Sequence, residues 1–322
     1  MEEIRNKIQN RTLARPALDP TPYLERFLQR YGNKVVGVFM YGSVLSQTTA
    51  TATSFPDFFV ITDGYRRVFR RFSHWLWAYF LPPHIFHLRL DEARQCKYNL
   101  ISFSRFRREC SGRAKDIYIL GRFSKRVSLI YARDPATRDR LVQCCENAMH
   151  SVVPWALRGM EGEWDATELA MSCLNISYAG ETRVEADSKV PKLFESEQEL
   201  YLAVYPGFLE RDPSLRRRVE KLGDGRFRLM ESPRQARLRR LRYRLFIKQS
   251  QIRGILRWPK FLITVDEWLD IILAKIERAK GIRIVPTPRQ RRHPLIFGWP
   301  HFFRLLREGA IGPSKRPTPQ KR

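Results

Sequence analysis

The chain has 322 residues, 43% of them hydrophobic, which suffices for two domains with a sizeable core and a tail. Its formal net charge is +26, and the excess is concentrated: residues 211–322 hold 30 of the 59 Lys and Arg but nine of the 33 Asp and Glu. The first 210 residues therefore have the balance of an ordinary enzyme, whereas the last third is suited to a polyanion, either nucleic acid or an anionic bilayer.

In chain order, Pro20–Tyr31 has the spacing of a short helix with Leu24, Phe27, Leu28 and Tyr31 on one face. Lys34–Met40 and Phe58–Thr62 read as strands, joined through Tyr41-Gly42-Ser43 and opening on Asp57. Arg66–Phe80 is a basic, aromatic helix stopped by Pro82-Pro83, and Ile85–Leu90 is a third strand. Lys97–Ser102 reads as a strand end or loop, 103–120 as helix, and Val127–Tyr131 as a further strand. Beyond Asp134 the pattern turns helical, over Pro135–His150 and Asp165–Ser177; Thr167 and Ala170 make no capping box. Val265–Lys280 is amphipathic, with Trp268, Leu269, Ile272, Leu273 and Ile276 on one face. Leu295–Arg307 is aromatic with basic flanks, and Ser314–Arg322 has a disordered composition.

These elements predict an α+β chain. Residues 1–135 form a mixed sheet with flanking helices, 136–258 a mainly helical domain for which a winged helix is one available form, and 259–322 a basic amphipathic tail, disordered after about residue 313. The longest apolar stretch, Trp75–Leu90, is interrupted by Pro82-Pro83 and two histidines, short of the roughly 18 residues that cross a bilayer. Met1–Arg5 is too acidic for a presequence, so a cytoplasmic protein, peripheral on the inner membrane face, is expected. The five cysteines lack zinc spacing and are expected to be reduced and buried; His84 and His87 read as strand surface.

Chemistry concentrates at the first turn. A strand, a Gly-Ser turn and a second strand opening on an aspartate resembles the start of polymerase β-type nucleotidyltransferases. There the turn's N–H groups and serine hydroxyl hold triphosphate oxygens and the aspartate holds Mg²⁺. A plain β-turn with a strand-capping aspartate is the alternative. Such sites use more than one carboxylate, and the position two residues on is Phe59, so a second carboxylate has to come from elsewhere.

Tyr41-Gly42-Ser43-Val44-Leu45-Ser46-Gln47 resembles a segment of the mitochondrial translocator assembly and maintenance family, peripheral phosphatidate cytidylyltransferases that make CDP-diacylglycerol. Lys97–Ser102, Tyr118–Val127, Ile176–Arg183 with Asp187–Val190, and more faintly Ser250–Ile255 are similar to further family segments, in the same order over roughly residues 35–255. That family also follows its aspartate with apolar residues. The chain departs from it at Val44, where the family has glycine, at Glu181, where it has aspartate, and in lacking a counterpart of its histidine segment. The resemblance implies a bacterial-type CTP:phosphatidate cytidylyltransferase with Mg²⁺ or another divalent cation as cofactor. It makes Asp57 and Glu181 the catalytic metal ligands, and Tyr41, Gly42, Ser43, Lys97, Arg122, Lys125, Tyr178, Arg183 and Lys189 the groups that meet CTP and phosphatidic acid. Asp63 reads as an inert strand end.

For the tail, Phe297, Trp299, Phe302, Phe303, Arg304 and Arg307 fit an interfacial helix drawn to anionic lipid. A nucleic-acid arm over Arg234–Arg257 and a protein interface are the rivals. Three functions remain open at this level: lipid cytidylyltransferase, nucleotidyltransferase acting on RNA or protein, and a degenerate binding module.

Overall fold

The computed structural model of the chain describes residues 1–45, 55–69, 72–91, 94–180, 189–257 and 286–292. The first helix, α1 (Glu2–Leu13), turns Ile4 and Ile8 inward, and Ile4 lies against Gly207 far along the chain. Helix α2 (Thr21–Tyr31) buries Tyr23, Phe27 and Tyr31, so its inner face is rotated toward Tyr23, with Leu24 and Leu28 packed at its edge. Strands β1 (Val35–Tyr41) and β2 (Asp57–Thr62) follow, both almost wholly buried, as their unbroken apolar runs require. They pair antiparallel, with Tyr41 opposite Asp57.

The expected helix over 66–80 is two pieces, α3 (Tyr65–Val68) and α4 (Phe72–Phe80). They lead to β3 (His84–Arg89) and β4 (Gln95–Ser102). The segment read as a strand end or loop is thus a full eight-residue strand, β4, parallel to β2 with Asp57 beside Lys97 and Phe59 beside Asn99. The helical spacing over 103–120 also splits, into α5 (Phe103–Glu109) and α6 (Ile117–Phe123). With β5 (Ser128–Ala132) the strands form one mixed sheet in the order β3-β4-β2-β1-β5.

Alternating residues of each strand face opposite ways, which sorts the sheet into two buried surfaces. Phe58 and Tyr98 face α2, with Tyr23 and Phe27 ring centres 5.3 and 4.9 Å from theirs, and the Tyr31 and Tyr98 hydroxyls bond at 2.8 Å. Phe39 and Phe59 face the other way and meet Phe123 of α6 edge-on, each at 5.0 Å. The same face carries Tyr41, Asp57, Lys97 and Asn99.

The helical part begins with α7 (Pro135–Gly159), N-capped by Asp134 and running past His150 through Pro154. After β6 (Glu163–Trp164), α8 (Ala166–Ala179) opens on a capping box made by Asp165 and Glu168, a pairing that inspection of Thr167 and Ala170 passes over. Helices α9 (Lys189–Ser196), α10 (Gln198–Arg211) and α11 (Pro213–Arg216) follow, then β7 (Val219–Lys221) and β8 (Phe227–Leu229), which join β6 in a small antiparallel sheet. Last comes α12 (Pro233–Leu256), whose Arg239 donates to the carbonyls of Leu157, Arg158 and Met160 at 2.7–3.0 Å and so finishes α7. One apolar cluster runs from Ile4 to Phe246 through the sheet and the helices alike.

All five cysteines are free and buried, and burial pushes their thiols up, Cys144 to about 12. His84 is not strand surface: it is 1% exposed and packs on the Phe69 ring at 4.6 Å. No helix among the described residues is long and apolar enough to cross a membrane. The expected Val265–Lys280 helix, the tail residues Phe297, Trp299, Phe302, Phe303, Arg304 and Arg307, and Ser314–Arg322 lie outside the described residues.

Candidate active site

Strand β1 ends in Gly42, whose φ of 95° is a left-handed conformation that side chains resist, and the chain then enters a short 3-10 turn at Ser43–Leu45. Leu45 N–H closes the turn on the Gly42 carbonyl at 3.2 Å. Because Tyr41 pairs with Asp57, the turn comes back over the aspartate, and a Cβ on Gly42 would sit 3.8 Å from the Asp57 carboxylate. Asp57 itself is half-buried, at the mouth of the sheet rather than inside it.

Next to it is a polar cluster built on one side chain, Asn99. Its Nδ2 donates to the Tyr41 hydroxyl at 2.7 Å and to the Phe58 carbonyl at 3.4 Å, and its Oδ1 accepts from the Tyr118 hydroxyl at 3.0 Å. Arg122 lies over the Tyr118 ring at 3.7 Å, reaches the Tyr41 ring at 5.8 Å, and donates to the Tyr118 carbonyl at 2.6 Å. Burial, and then the Asp57 charge, push the Tyr41 phenol well above its ordinary value, with Arg122 opposing the shift. Tyr41 is therefore a neutral hydrogen-bonding group at any physiological pH. Asn99 and Tyr118 carry no role in the sequence reading. The available signal was a lone amide inside the apolar run Tyr98-Asn99-Leu100-Ile101, 2% exposed and on the face of Asp57.

The missing second carboxylate has a physical account. Phe59 is fully buried in the Phe39–Phe106–Phe123 aromatic cluster, so its position belongs to the core and not to the mouth. Among the described residues no group of three or more His, Cys, Asp or Glu could hold a metal ion.

A second constellation joins the far end of α6 to the end of α8. Lys125 donates to the Ser177 hydroxyl at 3.0 Å and lies 4.6 Å from the Tyr178 ring centre. The approach is close because of glycine: a Cβ on Gly121 would lie 2.8 Å from the Ser177 Cα, and one on Gly180 would lie 1.8 Å from Ile117 Cγ2. Ser250 of α12 completes the junction by accepting from Ile117 N–H at 3.0 Å and donating to the Gly180 carbonyl at 3.3 Å. Three of the segments that carry the sequence resemblance thus pack against one another, at Gly121, Gly180 and Ser250.

Of the expected site residues, Tyr41, Gly42, Asp57, Lys97 and Arg122 gather at one end of the sheet, and Lys125 and Tyr178 meet at the α6–α8 contact. Glu181 and Arg183 lie outside the described residues, as do the side chains of Ser43 and Lys189. No protein-family model matches the chain, and no curated protein matches its sequence. Among solved structures it is similar to the crystal structure of a nucleotidyltransferase-like protein from Exiguobacterium sibiricum 255-15, with 12% identity, 94% of each chain covered and a TM-score of 0.25.

Proposed function

We propose that the five-stranded sheet is a nucleotidyltransferase core of the polymerase β type. On this reading the chain transfers CMP from CTP to phosphatidic acid, giving CDP-diacylglycerol and pyrophosphate at the inner membrane face. The observation that supports nucleotidyl transfer most is the Gly42 turn folded back over Asp57 at the end of two paired strands. CTP and the lipid acceptor rest on the sequence resemblance.

In this reaction a phosphate oxygen of phosphatidic acid attacks the α-phosphorus of CTP. The bond to the β-phosphate breaks, and its electron pair leaves with pyrophosphate. Catalysis is mainly positioning and charge neutralisation. The turn after Gly42 offers backbone N–H groups to triphosphate oxygens. Arg122, over the Tyr118 ring and 5.8 Å from the Tyr41 ring centre, suits two-pronged contact with a phosphate, and Lys97 adds charge beside Asp57.

Mg²⁺ bound to substrate phosphates needs as few as one or two carboxylates, and half-buried Asp57 beside the turn fits that donor set. Asp57, with Glu181 as the second donor, would hold it, and the ion would supply charge neutralisation for the triphosphate and for departing pyrophosphate. The test is pyrophosphate release from CTP with Mg²⁺ and phosphatidic acid vesicles. Release only with RNA or a protein acceptor would replace the lipid reading. Nucleotide binding without release for any acceptor would make the chain a binding module.

A further inference from the structure

Helix α4 has the sequence Phe-Ser-His-Trp-Leu-Trp-Ala-Tyr-Phe, yet most of its large side chains face solvent: Phe72 is 70% exposed, Trp77 47% and Phe80 57%. Helix α12 shows the same inversion. Its Leu238, Leu241, Leu245, Ile252 and Leu256 recur at helical spacing and are 48–57% exposed, while the opposite side buries Phe246 and Ser250. The two helices meet at their C-terminal ends, where Arg253 donates to the Phe80 carbonyl at 3.0 Å and Arg257 to the Pro82 carbonyl at 2.9 Å. Soluble surfaces seldom leave that much aromatic and aliphatic area in one place without a partner.

The charge around this face selects the partner. Residues 233–257 contain nine Arg or Lys and no Asp or Glu; Arg239, Arg253 and Arg257 pair inward with Glu231 and Asp116, while Arg234, Arg237, Arg242, Arg244 and Lys248 are exposed. Arg66, itself exposed, lies over the α4 ring of Trp75 at 4.9 Å. A second copy of the chain would bring like charges face to face. Residues 258–322 of the same chain are themselves cationic, with 14 Lys and Arg against five Asp and Glu. Nucleic acid would satisfy the arginines but has no hydrocarbon layer for Leu241, Ile252 or Leu256. An anionic bilayer satisfies both, taking Trp, Phe and Leu side chains into the headgroup–acyl boundary and arginines at its lipid phosphates.

We propose that the outer faces of α4 and α12 form a docking surface for an anionic lipid bilayer. This deepens the lipid-acceptor reading and rests on it for its purpose, although the surface itself stands on the exposed side chains and their charge. The face adjoins the candidate site, because Arg257 also lies over the Tyr118 ring at 4.7 Å, and Tyr118 bonds Asn99. A membrane seated on α4 and α12 would therefore deliver lipid phosphate next to the polar cluster.

The test is flotation of the full chain with phosphatidylcholine vesicles, with and without phosphatidylglycerol, an anionic lipid that is not the proposed substrate. The parent should bind the anionic vesicles alone. The double variants Trp77→Ser with Phe80→Ser, and Ile252→Ser with Leu256→Ser, should each bind about tenfold more weakly or worse, while keeping the parent's thermal midpoint. Binding equal to the parent's in both variants would overturn the proposal. So would unchanged vesicle binding with a lost dimer, a lost affinity for RNA or a lowered midpoint, which would identify a second copy, nucleic acid or the chain's own tail as the occupant. CMP transfer to a short-chain phosphatidate dispersed in detergent reads the chemistry separately: its absence alongside intact vesicle docking would strike the enzymatic reading and leave the docking face standing.

Discussion

Two aspartates associated with the same helix are housed in opposite ways. Asp116 caps the start of α6 and is 2% exposed, accepting from the Tyr118 N–H at 3.0 Å, from Arg253 at 2.5 Å and from Arg257 at 2.6 Å. Burial alone would raise its carboxyl, but the Arg257 charge and the Arg253 hydrogen bond prevail and hold it below the ordinary value. Asp57 lies on the strand face that α6 covers, but at the rim, half-buried beside an exposed left-handed glycine. A buried carboxylate matched by two guanidinium groups ties three helices and the α4–β3 connection together. The Asp57 carboxylate, at the sheet's mouth, stays partly exposed. Under the proposed function, stability belongs to the Asp116 junction and chemistry to the Asp57 end, and substitutions can separate the two.

The widest separation is expected from Asp57→Asn. Transfer should fall by about three orders of magnitude or more, with a chemical-denaturation midpoint close to the parent's. Retained activity would remove Asp57 from the site. Asp116→Ala should do the reverse, lowering stability by about 3–5 kcal/mol because Arg253 and Arg257 lose their shared partner. Its pH dependence is a sharper check. A carboxyl with a lowered folded-state pKa contributes stability above its unfolded value of 3.8, and that contribution disappears as pH falls through the folded value. The parent should therefore lose stability more steeply than Asp116→Asn in acid denaturation below about pH 4.

Smaller effects test how the halves are joined. Gly180→Ala forces a Cβ to within 1.8 Å of Ile117 and 2.7 Å of the Ser250 hydroxyl, and should cost about 1–3 kcal/mol in thermal unfolding. Tyr118→Phe removes one hydrogen bond from Asn99, so transfer should drop by roughly tenfold with stability changed by about 1 kcal/mol. If Gly180→Ala reduced transfer while leaving stability untouched, the division between the two regions would fail.

Much of the sheet was legible because burial on both sides leaves unbroken apolar runs, as in β1 and β2. Strand β4 was not, because Lys97 and Asn99 interrupt its run, and their reason lies across the sheet in Asp57, Tyr41 and Tyr118. The break in the 103–120 helix was hidden for a similar cause: α5 ends at Glu109 and α6 starts after Asp116, a buried cap whose partners Arg253 and Arg257 arrive from more than 130 positions away. The glycines of Tyr118–Val127 and Ile176–Arg183 could be matched as letters, but their purpose, the α6–α8 contact, is visible only in space. The outward stripe of α12 was legible as basic sequence and not as a surface, since periodicity does not say which side of a helix meets the core. The turn at Gly42 and the start of β2 at Asp57 were readable because both are local features of consecutive strands.

The most direct test of nucleotidyl transfer at the Gly42–Asp57 end is a crystal structure of the full chain with Mg²⁺ and a CTP analogue that cannot be cleaved between its α- and β-phosphates. Triphosphate oxygens should lie within hydrogen-bond reach of the backbone N–H groups that follow Gly42, with the metal on Asp57. A nucleotide bound elsewhere, or triphosphate at the turn with Asp57 facing away from it, would contradict that assignment.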